Sequence, residues 1–173
     1  MADYDVVLLV EEQLNDLDAQ QVRALHEGID DPVTYHVLLP LDDAAARVEA
    51  SLGTLGGADL LGSPGMPIDV GELQDLEEEC EERSHQALTA SVAALERVGA
   101  TVASSAVVTA SPTDALAAKV HDVDGREAIV LTRPHVVAEF FHVDWSSQAR
   151  RKLGVPVLHL IEHQNLDEQA EGL

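Results

Sequence analysis

The stretch from Thr132 to Ser147 is the part of this chain best supplied with groups that can hold a ligand. It reads Thr132-Arg133-Pro134-His135-Val136-Val137-Ala138-Glu139-Phe140-Phe141-His142-Val143-Asp144-Trp145-Ser146-Ser147, and it contains both phenylalanines and the only tryptophan. A guanidinium can pair with an anion, imidazoles and hydroxyls can make directional polar contacts, and aromatic faces can take a planar group. Arg133, His135, His142, Ser146 and Ser147 are therefore candidate ligand-binding residues. A plainer reading stands beside this one: the aromatics pack a last helix onto a sheet, the histidines sit on the surface, and the serines are caps.

Other chemistries find less support. A metal could draw on His135, His142 and His163 with Glu11 or Glu162, but no His-x-x-x-His pair has a third ligand near it. His159 and His163 have that spacing, yet His159 falls in a strand pattern, where helical spacing means nothing. No Gly-x-Ser-x-Gly elbow is present, so Ser104, Ser105, Ser146 and Ser147 lack the setting of a nucleophile. The glycines from Gly53 to Gly71 are not followed by Lys-Ser or Lys-Thr, which excludes a Walker loop. Glu77, Glu78, Glu79, Glu81 and Glu82 form a charge run of the kind that lines a solvated helix face. No catalytic residue and no metal ligand is assigned, and the expectation is that the chain is not an enzyme.

The elements that must position these groups follow from hydrophobic patterning. Val6 to Val10, Thr34 to Leu39, Ala128 to Leu131 and Pro156 to Ile161 are short apolar runs, as in strands buried on both faces. Thr101 to Thr109 alternates more and reads as an edge strand. Between them lie helical patterns. One is headed by Asp18, with Gln21 completing a capping box and Gly28 as its stop. A short Ala-rich helix spans about 43 to 52. Glu72 to Val98 is the longest, with Leu73, Leu76, Cys80, Ala87, Leu88, Ser91, Val92 and Leu95 on one face. Ser111-Pro112 starts another, which Asp124-Gly125 closes, and the last covers about 144 to 153, stopped by Gly154. Cys80 is expected in the core. Residues 53–71 are too rich in glycine and proline for regular structure and read as a mobile loop. The tail is polar and expected to fray from Glu162, with 164–173 as a C-terminal extension.

Strands alternating with helices predict one α/β domain over 1–173: a three-layer α/β/α sandwich around a five-stranded, mostly parallel sheet. In such sheets ligands bind beyond the carboxyl ends of the strands, where the strand order reverses. If so, residues 132–147 leave the fourth strand at that place.

Composition narrows the partners. The chain has 173 residues and a formal net charge of −22, from 32 acidic and 10 basic side chains. That surface repels phosphate backbones and anionic headgroups, so neither nucleic acid nor membrane is an expected partner. Aromatics make up only 3%, too few for base-stacking platforms. With Cys80 as the sole cysteine no intramolecular disulfide can form, and no basic leader or membrane-length apolar run is seen. A cytoplasmic location is the expectation.

The pattern resembles the universal stress protein family along nearly its whole length. Four features carry the resemblance. They are the opening strand Asp5-Val6-Val7-Leu8-Leu9-Val10; the glycine-rich excursion leading into the long helix and Gly99-Ala100-Thr101-Val102; the Ser-Pro-Thr-Asp-Ala-Leu helix start; and the ending Leu153-Gly154-Val155-Pro156-Val157-Leu158-His159-Leu160. The ending is the most specific of these. The resemblance implies sheet order 3-2-1-4-5, a homodimer paired through the last strand (Pro156, Val157, Leu158, His159, Leu160), a stress-related role and, in some members, an adenine-nucleotide site. It also implies that Glu11, after the first strand, is a site residue, because family members often have an acidic residue there.

The nucleotide motif itself departs from the family. ATP-binding members carry Gly-x-x-Gly, a spacer, then Gly-Ser or Gly-Thr after the fourth strand. This chain has no glycine between Gly125 and Gly154. Without glycine, backbone N–H groups cannot approach phosphate oxygens so closely; Pro134 removes a donor, and Glu139 and Asp144 add repulsion. The expected function is a universal-stress-protein-like binding module with no cofactor, which does not take ATP by the usual motif. The alternative is an adenine-nucleotide binder, for ATP or AMP, with a divergent phosphate site built on Arg133. A further possibility is a protein-contact module that uses the 53–71 loop.

Overall fold

Runs rich in valine and leucine form the inner strands of a single sheet, with His36 a polar residue inside one of them. The computed structural model describes residues 3–41, 70–109, 111–132 and 151–162. Its strands are β1 (Tyr4–Val10), β2 (Val33–Pro40), β3 (Thr101–Val108), β4 (Glu127–Thr132) and β5 (Val157–Ile161). They lie in the order β3-β2-β1-β4-β5. All four neighbouring pairs are parallel. The helices are α1 (Asp16–Ala24), α2 (Val70–Arg97) and α3 (Pro112–Asp122). This is the expected α/β architecture and strand order. The alternating strand β3 lies at one edge and β5 at the other.

Period-two alternation divides the central strands between two cores. Val6, Leu8 and Val10 of β1 join Tyr35, Val37, Ile129 and Leu131 under α1 and α2, which contribute Ala19, Val22, Leu88, Ala94 and Leu95. Val7 and Leu9 face the other way, with Leu38, Ala128, Val130 and Val157, under Leu116 and Val120 of α3. Each fully buried aliphatic side chain contributes about 1.5–3 kcal/mol. Cys80 is buried on α2, as its helical spacing predicts, while Glu77, Glu78, Glu79, Glu81 and Glu82 are exposed. Among the described residues no helix is long and apolar enough to cross a membrane.

Several boundaries differ from the sequence expectation for local reasons. Helix α1 is capped by Asn15, not Asp18. The Asn15 side chain accepts from the Asp18 N–H at 2.8 Å, and the Asp18 carboxylate accepts from the Asn15 N–H at 3.0 Å, so Asp18 is the third residue of the box. The helix ends at Ala24; Gly28, with φ +96°, turns the chain after it and is not its immediate stop. Ser111 begins α3 without a side-chain cap, its Oγ lying 3.0 Å from Thr113 Oγ1. After α3 the left-handed position is taken by Asp124 (φ 52°), not Gly125. Gly125 is instead set close to β1, where an added Cβ would lie 3.4 Å from Val7 Cγ2.

Pro40 ends β2 as a paired strand residue opposite Val108. Pro156 lies just before β5, so the last strand begins at Val157. Val70 and Gly71, assigned to the loop by composition, are the first residues of α2. The expected helix near 43–52 and the rest of the 53–71 loop lie outside the described residues, as do the tail 164–173 and most of the last helix. Of that helix, residues 151–153 are helical, and Gly154 (φ +69°) follows as predicted.

Candidate functional site at the carboxyl edge of the sheet

The strand order reverses between β1 and β4, so the carboxyl ends of these two strands border the crevice where an open parallel sheet takes its ligands. The turn after β1 starts at Glu11, and β4 ends at Thr132. Of the candidate residues, Glu11 stands at this crevice; Arg133, His135, His142, Ser146 and Ser147 lie outside the described residues, as does His163.

What the sequence reading missed is Glu162. Read as the start of a frayed tail, it is instead 0% exposed. It directly follows β5, and its backbone N–H donates to the Thr132 carbonyl at 2.9 Å, which extends the β4–β5 ladder by one residue. Its side chain reaches the turn after β1. There Oε1 accepts from the Glu11 N–H at 3.0 Å and from the Glu12 N–H at 2.9 Å. The Glu11 N–H is shared, because the Leu131 carbonyl lies 3.1 Å from the same nitrogen. Oε2 is buried and has no hydrogen-bond partner among the described residues.

Burial pushes the Glu162 carboxyl up to about 7, and the charges of Glu11 and Glu12 push the same way; the hydrogen bonds from their backbone N–H groups act against the rise. Between β4 and β5, Thr132 Oγ1 and His159 Nε2 are 2.7 Å apart. Burial holds His159 below the usual histidine range, which favours the neutral ring. One polar residue after an apolar run gave no signal of this arrangement. The only hint was that Glu162 immediately follows a buried strand.

Two more polar arrays join residues far apart in sequence. On the α3 face, His36 lies between Asp5 and Ser104, with Nε2 2.9 Å from Asp5 Oδ1 and Nδ1 2.7 Å from Ser104 Oγ. The order of groups is that of a serine-hydrolase relay. Ser104, however, lies within β3 and not on a strand-to-helix elbow. At the amino edge, His26 Nδ1 is 2.9 Å from the Val22 carbonyl and Nε2 is 2.7 Å from Glu127 Oε1, while Tyr4 donates to Glu127 Oε2 at 3.0 Å. The Tyr35 hydroxyl also lies 2.8 Å from His26 Nδ1, so both ring nitrogens are engaged. The hydrogen bond from His26, joined by that from Tyr4, holds Glu127 below the usual carboxylate range despite burial. Among the described residues no group of His, Cys, Asp and Glu could hold a metal ion.

No family model and no curated protein matches the chain. Solved structures similar to it include the universal stress protein from Archaeoglobus fulgidus, at 15% identity over 90% of this chain and 93% of that one, with a TM-score of 0.49. A universal stress protein family member from Arabidopsis thaliana, solved with AMP bound, is 11% identical over 94% of each chain, with a TM-score of 0.49. A protein of the universal stress protein family from Burkholderia pseudomallei is 17% identical over 91% of this chain and 96% of that one, with a TM-score of 0.46.

Proposed function

We propose that this chain is a universal-stress-protein-like binding module, not an enzyme, which holds its ligand or partner at the carboxyl edge of the sheet without the usual ATP motif. The observation that carries the reading is the Glu162 carboxyl, buried in the crevice with Oε1 on the N–H groups of Glu11 and Glu12. Those N–H groups are the donors a phosphate would need there, and a phosphate would also meet a carboxyl with an oxygen unsatisfied among the described residues. The absence of glycine between Gly125 and Gly154 supports the same reading. The position of Ser104 within β3, beside a register shift and not on a strand-to-helix elbow, supports a non-catalytic role.

A homodimer through β5 belongs to this proposal. β5 is an edge strand, and its Leu158 is 39% exposed. An apolar edge strand left unpaired invites another chain, and a second copy is the simplest cover. The role is stress-related on this reading, and the location cytoplasmic.

A thermal-shift titration with ATP, ADP, AMP and cyclic AMP, with and without Mg²⁺, tests the ligand reading. A ligand that binds only the folded state raises the melting temperature in a saturable way. The expected result is no saturable rise. A rise with any of the nucleotides, abolished by Arg133→Ala, would replace this reading with that of an adenine-nucleotide binder with a divergent phosphate site.

A further inference from the structure

The Glu11 and Glu12 N–H groups converge on one oxygen, and that oxygen belongs to the chain itself. Successive backbone N–H groups at the end of a strand form a concavity suited to an anion. Here the guest is a carboxyl from outside the turn, 151 residues along the chain from Glu11. The contact is not needed to pair the strands, since the Glu11 N–H already has the Leu131 carbonyl and Glu162 is linked to β4 through its own backbone. The cost is visible: a fully buried side chain with one oxygen unsatisfied among the described residues. A buried polar atom left in this way at a ligand crevice points to a site, not to a structural tie.

We propose that the Glu11–Glu12 turn is an oxyanion-binding site which the chain fills with its own Glu162 carboxyl, so that an external carboxylate or phosphate enters only when that side chain is displaced. The inference rests on the carboxyl-edge reading above and adds an occupant to it. Glu162 then acts as a built-in competitor. It sets the specificity of the crevice by excluding anions that lack the affinity to displace it. The Glu11 and Glu12 side chains, both acidic, raise that threshold for any incoming anion.

Removing the occupant while keeping the turn tests this. Glu162→Ala leaves the two N–H groups open, whereas Glu162→Gln keeps a carbonyl oxygen in place. Acetate and sulfate serve as probes at constant ionic strength, read by the backbone amide resonances of Glu11 and Glu12 and by the melting temperature. Acetate stands for a carboxylate source and sulfate for a phosphate-like one. The expected result is saturable binding of acetate or sulfate to Glu162→Ala, at least about tenfold tighter than to the wild type, with Glu162→Gln remaining closed. Acetate should also restore part of the stability lost in Glu162→Ala.

Glu11 and Glu12 amides that ignore both probes in a folded Glu162→Ala protein would overturn the proposal. So would wild-type binding as tight as that of the variant. If Glu162→Ala does not fold alone, refolding in acetate decides: recovery of the fold supports the site, and no recovery counts against it. The two readings can fail separately. Acetate rescue together with a saturable nucleotide shift in the wild type would leave the oxyanion site standing and overturn the non-nucleotide function. No rescue and no nucleotide shift would do the reverse.

Discussion

His26 and Glu127 are hydrogen-bonded at the amino edge of the sheet, with Nε2 2.7 Å from Oε1 and the His26 side chain almost wholly buried. The pair joins the turn after α1 to the first residue of β4, and the hydroxyls of Tyr4 and Tyr35 extend it on both sides. Glu127→Gln keeps the shape but removes the charge opposite a buried ring. The expected cost is about 2–3 kcal/mol in urea unfolding at neutral pH. The Glu127 carboxyl is held below its ordinary value of 4.5 in the folded state. Its stabilisation is therefore present above that pH and is lost as pH falls through the folded value. The acid limb of the stability curve should flatten in Glu127→Gln; an unchanged limb would show that the pair does not contribute.

Glu162 has the opposite sign. Its folded value is raised from 4.5 to about 7 by burial, with Glu11 and Glu12 adding to the rise. The neutral carboxyl is the form the fold prefers. Its contribution is complete below 4.5 and declines as pH rises to about 7, a loss of roughly 3 kcal/mol. Glu162→Gln cannot titrate, so the difference in unfolding free energy between wild type and variant should change across that window and level off above it. A constant difference from pH 4 to 8 would contradict the buried position of this carboxyl.

Ser104→Ala should cost about 0.5–1.5 kcal/mol, because it removes one end of the Asp5–His36–Ser104 bridge and leaves a buried imidazole nitrogen unsatisfied. The same serine should not react with a fluorophosphonate probe, as detected by intact mass. Covalent labelling of Ser104 would require the array to be treated as a reactive centre.

Asp124 holds a left-handed backbone conformation (φ 52°) in the turn between α3 and β4. Most residues other than glycine adopt it at some cost, which asparagine and aspartate bear best. Asp124→Gly should be close to neutral or stabilise by up to about 1 kcal/mol in thermal unfolding. Gly99→Ala, at φ +80°, should instead destabilise by about 1 kcal/mol.

The sheet was legible because each buried strand carries its own signal. Val6 to Val10 and Ala128 to Leu131 are apolar at every position, which only a two-sided burial explains, and Thr101 to Val108 alternates because it lies at an edge. The cap of α1 is displaced by three residues from the sequence expectation because Asn15 and Asp18 are both good capping residues, and the choice between them depends on where the chain leaves Leu14, which is buried against α2. Composition pointed to Thr132–Ser147, yet what the structure describes at the crevice is Glu162. A carboxylate is an ordinary surface residue by type. Its burial depends on two N–H groups brought near by sheet topology, and no local pattern records that. The same holds for His26 and His36, whose partners are separated from them by whole elements.

The pairing of β1 with β4 also governs how the molecule can be made. Val6 lies opposite Glu127 at the centre of the sheet, although more than half of the chain separates them. During synthesis from the N-terminus, β1, β2 and β3 can associate as a three-stranded unit while one edge of β1 has no neighbour. That edge stays open until Glu127 to Thr132 has left the ribosome, and β5 can dock only after it. Closing so long a loop is slow, and an exposed valine-rich edge can recruit a wrong strand in the meantime. The central strand of the finished sheet is thus the most vulnerable edge of the nascent one.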